Sequence, residues 1–152
     1  AMAGQTQVGG GTSLANIIDA VEGYVGSQNR SMKKVSGEIK IRTMKKYIDE
    51  GLPIIWTMFS SHDYNSFVNK RTIERRNVND WVAWKDRIKT EARSINLRKD
   101  FMSAHACMII GYNKATNEIA VSDSWGPSYE ERWVPVEQVE QVSQGSIYLI
   151  DF

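Results

Sequence analysis

His105-Ala106-Cys107-Met108-Ile109-Ile110-Gly111-Tyr112-Asn113 and, after a turn, Val121-Ser122-Asp123-Ser124-Trp125-Gly126 are the stretches whose reading decides the fold. Residues 104–112 form a β-rich apolar run, 113–117 a polar turn and 118–122 a second short run, which together predict a β-hairpin. His105 lies near the start of the first strand and Asp123 at the end of the second, so the hairpin brings them to the same end of a sheet. There a carboxylate can accept the imidazole N–H, fix its tautomer and leave the other ring nitrogen facing a nucleophile. Trp125 is placed to shield that bond from water, which strengthens it. Taken singly, His105 is an ordinary strand histidine and Asp123 an ordinary turn former. The pairing at hairpin distance is what points to chemistry.

Outward from the hairpin, 132–136 and 146–152 predict two further strands, with 136–142 a short turn or helix between them. Upstream, Leu14, Ile17, Ile18, Val21 and Val25 recur at offsets of three and four. They mark one face of a helix capped by Thr12 or Ser13 and stopped by Gly26. Ile41, Met44, Tyr47 and Ile48 give a second helix, closed by Gly51 and Pro53. Pro53-Ile54-Ile55-Trp56-Thr57-Met58-Phe59 predicts a buried strand. Trp81, Trp84, Ile88 and Ala92 predict a third helix with Asn79 or Asp80 as its cap. Residues 27–37 are polar and basic and read as a loop; 60–80 lack periodicity and read as a long surface excursion. Helices first and an antiparallel sheet after them define an α+β domain.

The 152 residues suffice for one hydrophobic core, and 41% hydrophobic with 24% charged residues is the composition of an ordinary folded domain. A formal net charge of +1 supplies no field to gather nucleic acid. No apolar run reaches the roughly 18–20 residues that span a bilayer, so membrane insertion is not expected. The single cysteine, Cys107, excludes an internal disulfide and a multi-cysteine metal site. Cys107 shares a strand face with His105 at a spacing of roughly 6–7 Å, but it points inward along an apolar run and reads as a buried structural thiol. Trp56, Trp81, Trp84 and Trp133 read as core and edge packing, and His62 receives no role. Lys70-Arg71, Arg75-Arg76 and Arg98-Lys99 are interleaved with acids and read as a solvated face. Residues 1–11 end in Gly9-Gly10-Gly11 and read as a flexible entry or a cloning remnant, with no charged-then-apolar leader. Residues 12–152 are expected to form one domain, 12–100 mainly helical and 101–152 mainly antiparallel sheet.

The hairpin resembles that of the papain-like cysteine peptidases, whose pattern is H-A-x-x-x-x-G-Y followed by N-S-W-G. This chain carries H-A-C-M-I-I-G-Y over 105–112 and D-S-W-G over 123–126. Aspartate in place of asparagine is similar to the bacterial, bacteriocin-type branch that removes double-glycine leaders. Gly9-Gly10-Gly11-Thr12-Ser13-Leu14-Ala15 resembles that branch's C-G-P-T-S-L-A entry into the nucleophile-bearing helix, with Gly9 at the cysteine position. A second register matches Ala20-Val21-Glu22-Gly23 to the helix end of the plant and animal enzymes and sets Thr12 at the cysteine. The family's oxyanion-hole glutamine precedes the cysteine, which makes Gln7 or Gln5 its candidate here.

The resemblance implies a papain-like fold with the site in a cleft between helices and sheet, and peptide-bond hydrolysis by thiolate attack. His105 would be general base and then acid, Asp123 its orienter and Trp125 the shield, with a backbone N–H near Thr12 in the oxyanion hole. It implies a peptide or protein substrate, no metal, no organic cofactor, and a secreted or cell-envelope setting. In either register the sulfur is missing. Glycine offers no nucleophile, and a threonine hydroxyl needs a far stronger base than a thiol does. The expectation is therefore an inactive or vestigial peptidase domain. The alternative is a non-catalytic module that keeps the cleft to hold a peptide. An altered or trimmed chain, a natural pseudoenzyme and a likeness without kinship all remain open as origins of the gap.

Overall fold

The computed structural model describes residues 14–36 and 38–151. Their frame is a six-stranded sheet, antiparallel at every pairing: β1 (Ser31–Ser36), β2 (Ile54–Phe59), β3 (Ala104–Asn113), β4 (Glu118–Ser122), β5 (Arg132–Pro135) and β6 (Ser143–Asp151). The spatial order is β1-β6-β2-β3-β4-β5. With it stand α1 (Leu14–Gly26), α2 (Ile41–Ile48), α3 (His62–Arg76), α4 (Trp81–Ala92) and α5 (Val136–Val142). The class is α+β, as the sequence predicts.

Alternation along the strands builds the core. Ile54, Trp56 and Met58 of β2 lie opposite Ile109, Cys107 and His105 of β3, so these six share one face of the sheet. Tyr64 and Val68 of α3 and Val139 and Val142 of α5 join the same buried cluster. Each such fully buried apolar side chain contributes about 1.5–3 kcal/mol. The indole N–H of Trp56 donates to Ser143 Oγ at 3.1 Å, so its burial leaves no orphan donor.

The predicted α1, α2, β2 and α4 form where expected. Met44 is the buried side chain of α2, and the turn after that helix needs Gly51, whose φ of +76° is a conformation other residues rarely adopt. Asp80 caps α4 by accepting the backbone N–H groups of Val82 and Ala83. Three expectations fail. Residues 27–37 are not all loop: β1 occupies most of them and pairs with β6 in unbroken register from Ser31↔Asp151 to Ser36↔Ser146. Its lysines point outward from an edge strand, which hides the strand pattern. Residues 60–80 are not a surface excursion either. Ser61 caps α3 by accepting the Tyr64 N–H, Asp63 favours its first turn, and Arg75 and Arg76 favour its last. The buried positions of α3, Tyr64, Val68, Arg71 and Thr72, keep helical spacing, but two are polar and break the hydrophobic period. Finally, Arg71 and Arg75 are not on a solvated face. Arg71 is buried and paired with Glu91, and Arg75 is paired with the buried Glu118.

Candidate active site

The β3–β4 ladder fixes the site. It runs Met108↔Ser122 and Ile109↔Val121, then slips past Ile110 to Gly111↔Ala120. One further step of the same register sets Cys107 across from Asp123 and leaves His105 on the diagonal, within reach of long side chains. The side chains close that diagonal: His105 Nε2 lies 2.6 Å from Asp123 Oδ1. The Asp123 side chain is 1% exposed and that of His105 18% exposed. With Nε2 donating to the carboxylate, Nδ1 is left for proton exchange with a partner outside the pair.

Gly126, at φ +105°, turns the chain after Trp125 into a 3₁₀ turn over Pro127–Tyr129. The Asp123 N–H donates to Tyr129 O at 2.9 Å, which ties the loop back on itself. Trp125 thereby stacks on the His105 ring, centroids 4.3 Å apart and planes 25° apart, while Tyr129 meets Trp125 edge-on at 5.5 Å. The indole is 45% exposed, so it covers the imidazole on one side and meets solvent on the other.

A residue that the sequence reading passed over completes the arrangement. Arg132 Nη2 donates to Asp123 Oδ2 at 2.5 Å, and its Nη1 donates to Asn65 Oδ1 at 2.9 Å and Asn69 Oδ1 at 3.0 Å, both on α3. Its guanidinium also lies 4.7 Å from the Tyr129 ring centroid. Burial pushes the Asp123 carboxyl up, but the bonds and charges of His105 and Arg132 outweigh it and hold the group below the ordinary aspartate value. One signal in the sequence pointed to Arg132: it shares a strand face with the buried Val134, and an inward arginine needs an acid. Asn65 and Asn69, one helical turn apart, lay inside the stretch read as irregular.

Cys107 is buried, and burial first, then the Asp123 charge, pushes its thiol well above the ordinary range. That agrees with an inert structural thiol. Of the other sites expected from sequence, Gln5, Gln7, Gly9 and Thr12 lie outside the described residues. The described part of α1 packs chiefly on β1, the far edge strand of the sheet. Among the described residues, no group of His, Cys, Asp and Glu is arranged to hold a metal ion, and no helix is long and apolar enough to cross a membrane.

A histidine and an acid joined across neighbouring strands, under an indole and on this sheet, mark a papain-like peptidase domain. Residues 3–148 match the model of the Peptidase_C39 like family, and the chain belongs to that family. Among solved structures it is similar to the peptidase domain of Streptococcus mutans ComA, with a TM-score of 0.53 at 12% identity over 99% of this chain and 82% of that one. At that identity the likeness concerns the fold. No curated protein matches.

Proposed function

We propose that these residues, 12–152 acting as one domain, present the base half of a cysteine-peptidase site to an extended peptide. His105 is the group that exchanges protons, and Asp123 orients it. The observation that supports this is the 2.6 Å bond from Nε2 to a buried carboxylate, which leaves Nδ1 as the working nitrogen. In hydrolysis Nδ1 takes the proton of an attacking thiol and the sulfur bonds to the scissile carbonyl. The same proton then passes to the departing amine as the C–N bond breaks, and water later cleaves the thioester with His105 again the base.

The 152 residues hold no thiol fit for the first step. Cys107 is the single cysteine, and it is buried with its thiolate disfavoured. In our reading the chain therefore does not turn over peptides by itself. The same observation favours a second reading, in which the domain binds peptide without cleaving it.

The test installs a cysteine at Gly9 or, separately, at Thr12 and treats each variant with an electrophilic peptide probe. Labelling at the new thiol that falls at least tenfold on adding His105→Ala is expected, in line with the roughly 10²–10⁴-fold contribution of a positioned base. Labelling indifferent to His105 in both variants would remove histidine from the mechanism. Binding of the peptide with no labelling at either position would favour the second reading.

A further inference from the structure

Asp123 is a full charge where the related pattern has a neutral amide, and it is buried. A buried carboxylate with no counter-charge carries a large desolvation cost, which it relieves by taking up a proton or turning toward water, and either loosens its hold on the ring. In this chain the charge does not stand alone. Arg132, its side chain 1% exposed, takes the second carboxylate oxygen, and both asparagines of α3 accept from its other terminal nitrogen. We propose that Arg132, clamped by Asn65 and Asn69, is a positioning residue that neutralises Asp123 and aims Oδ1 at His105. The acid then orients the ring as a neutral amide would. The idea rests on the His105–Asp123 pair proposed above and adds to it the reason an aspartate works there.

Geometry argues the point in three ways. Arg132 uses separate nitrogens for Asp123 and for the asparagines, so it cannot swing toward one without losing the other. Asn65 is itself tied down: its amide nitrogen donates to Ser60 Oγ at 2.9 Å and to Ser61 O at 3.1 Å, which fixes its oxygen toward the arginine. Tyr129 and Tyr64 flank the guanidinium, with ring centroids 4.7 and 5.8 Å from it. The clamp thus carries position from α3 to β5, to the end of β4 and to β3, and finishes on the imidazole.

The test needs no nucleophile and uses the chain as it is. A ring N–H of His105 held by Asp123 gives a downfield, exchange-protected proton resonance, with the exposed His62 as an internal control. Arg132→Met is expected to raise the exchange rate of that proton by at least about tenfold, the scale of one charge-assisted hydrogen bond. Asp123→Asn combined with Arg132→Met is expected to restore protection, because a neutral acceptor needs no counter-charge; a merely structural arginine would not be rescued in this way. Should Arg132→Met not fold, Asn65→Ala with Asn69→Ala keeps both charges and removes only the clamp, and a several-fold rise in exchange is expected. Unchanged protection in whichever of these variants folds, or a double variant no better than Arg132→Met, would overturn the proposal. Absence of the resonance from the unaltered chain would instead count against the His105–Asp123 pair itself.

Discussion

Two buried carboxylates sit at opposite ends of β4, and they do different things. Glu118 opens the strand and is fully buried; Asp123 follows its last residue. Each has an arginine beside it: Arg75 Nε lies 3.2 Å from Glu118 Oε2, and Arg132 holds Asp123. Each arginine lies against aromatic rings, Arg75 on Trp133 at 3.6 Å and Arg132 on Tyr129 at 4.7 Å. The difference lies in what else the carboxylate meets. Glu118 Oε2 also accepts the indole N–H of Trp84 at 3.3 Å, a donor that never releases its proton, whereas Asp123 Oδ1 meets an imidazole. The same kind of buried ion pair thus meets an indole donor at one end of the strand and, at the other, the imidazole that we propose as the base. A buried charge alone does not mark a candidate site; what else the carboxylate bonds distinguishes the two ends.

Mutation at Glu118 tests whether the two ends of β4 are independent. Glu118→Ala removes one partner of a buried pair and leaves the Arg75 charge and the Trp84 N–H without an acceptor. A loss of about 3 kcal/mol in denaturant unfolding is expected, the low end for such a break because Arg75 keeps some access to water. The protected His105 resonance should persist in this variant, since the two pairs share no side chain. Its disappearance would mean that the two ends of β4 are one network.

A smaller effect reads Asp123 through pH. The folded-state value of Asp123 lies below its unfolded value, so the charged form favours folding. That stability is present above the ordinary aspartate value near 3.8 and is lost as pH falls below it. Asp123→Asn should therefore flatten the loss of stability measured between about pH 5 and 2. A curve as steep as that of the unaltered chain would assign the acid sensitivity to other carboxylates.

The hairpin was legible in the sequence from its two apolar runs and polar turn, and its pair from the short motif those runs carry. Plain counting from the turn would set Met108 across from Asp123 and His105 on the other face; the slip at Ile110, which no sequence pattern marks, brings the two to one face. The support behind them was not legible. α3 meets β5 through hydrogen bonds, with Thr72 Oγ1 accepting the Trp133 N–H at 2.9 Å beside the two asparagines on Arg132, and such a face has no hydrophobic period. β1 escaped for a related reason: Lys33 and Lys34 interrupt its alternation at an edge where one side faces water. Sequence patterns report apolar burial. The clamp on Asp123 is built from polar burial, which becomes visible only when partners come together.

The most direct measurement is the His105 ring N–H itself, recorded in the unaltered chain and in Asp123→Ala. The account predicts a downfield, slowly exchanging proton in the first and its loss in the second, with His62 unchanged in both. A His105 ring that exchanges as freely as His62, or that keeps its protection without the carboxylate, would contradict it.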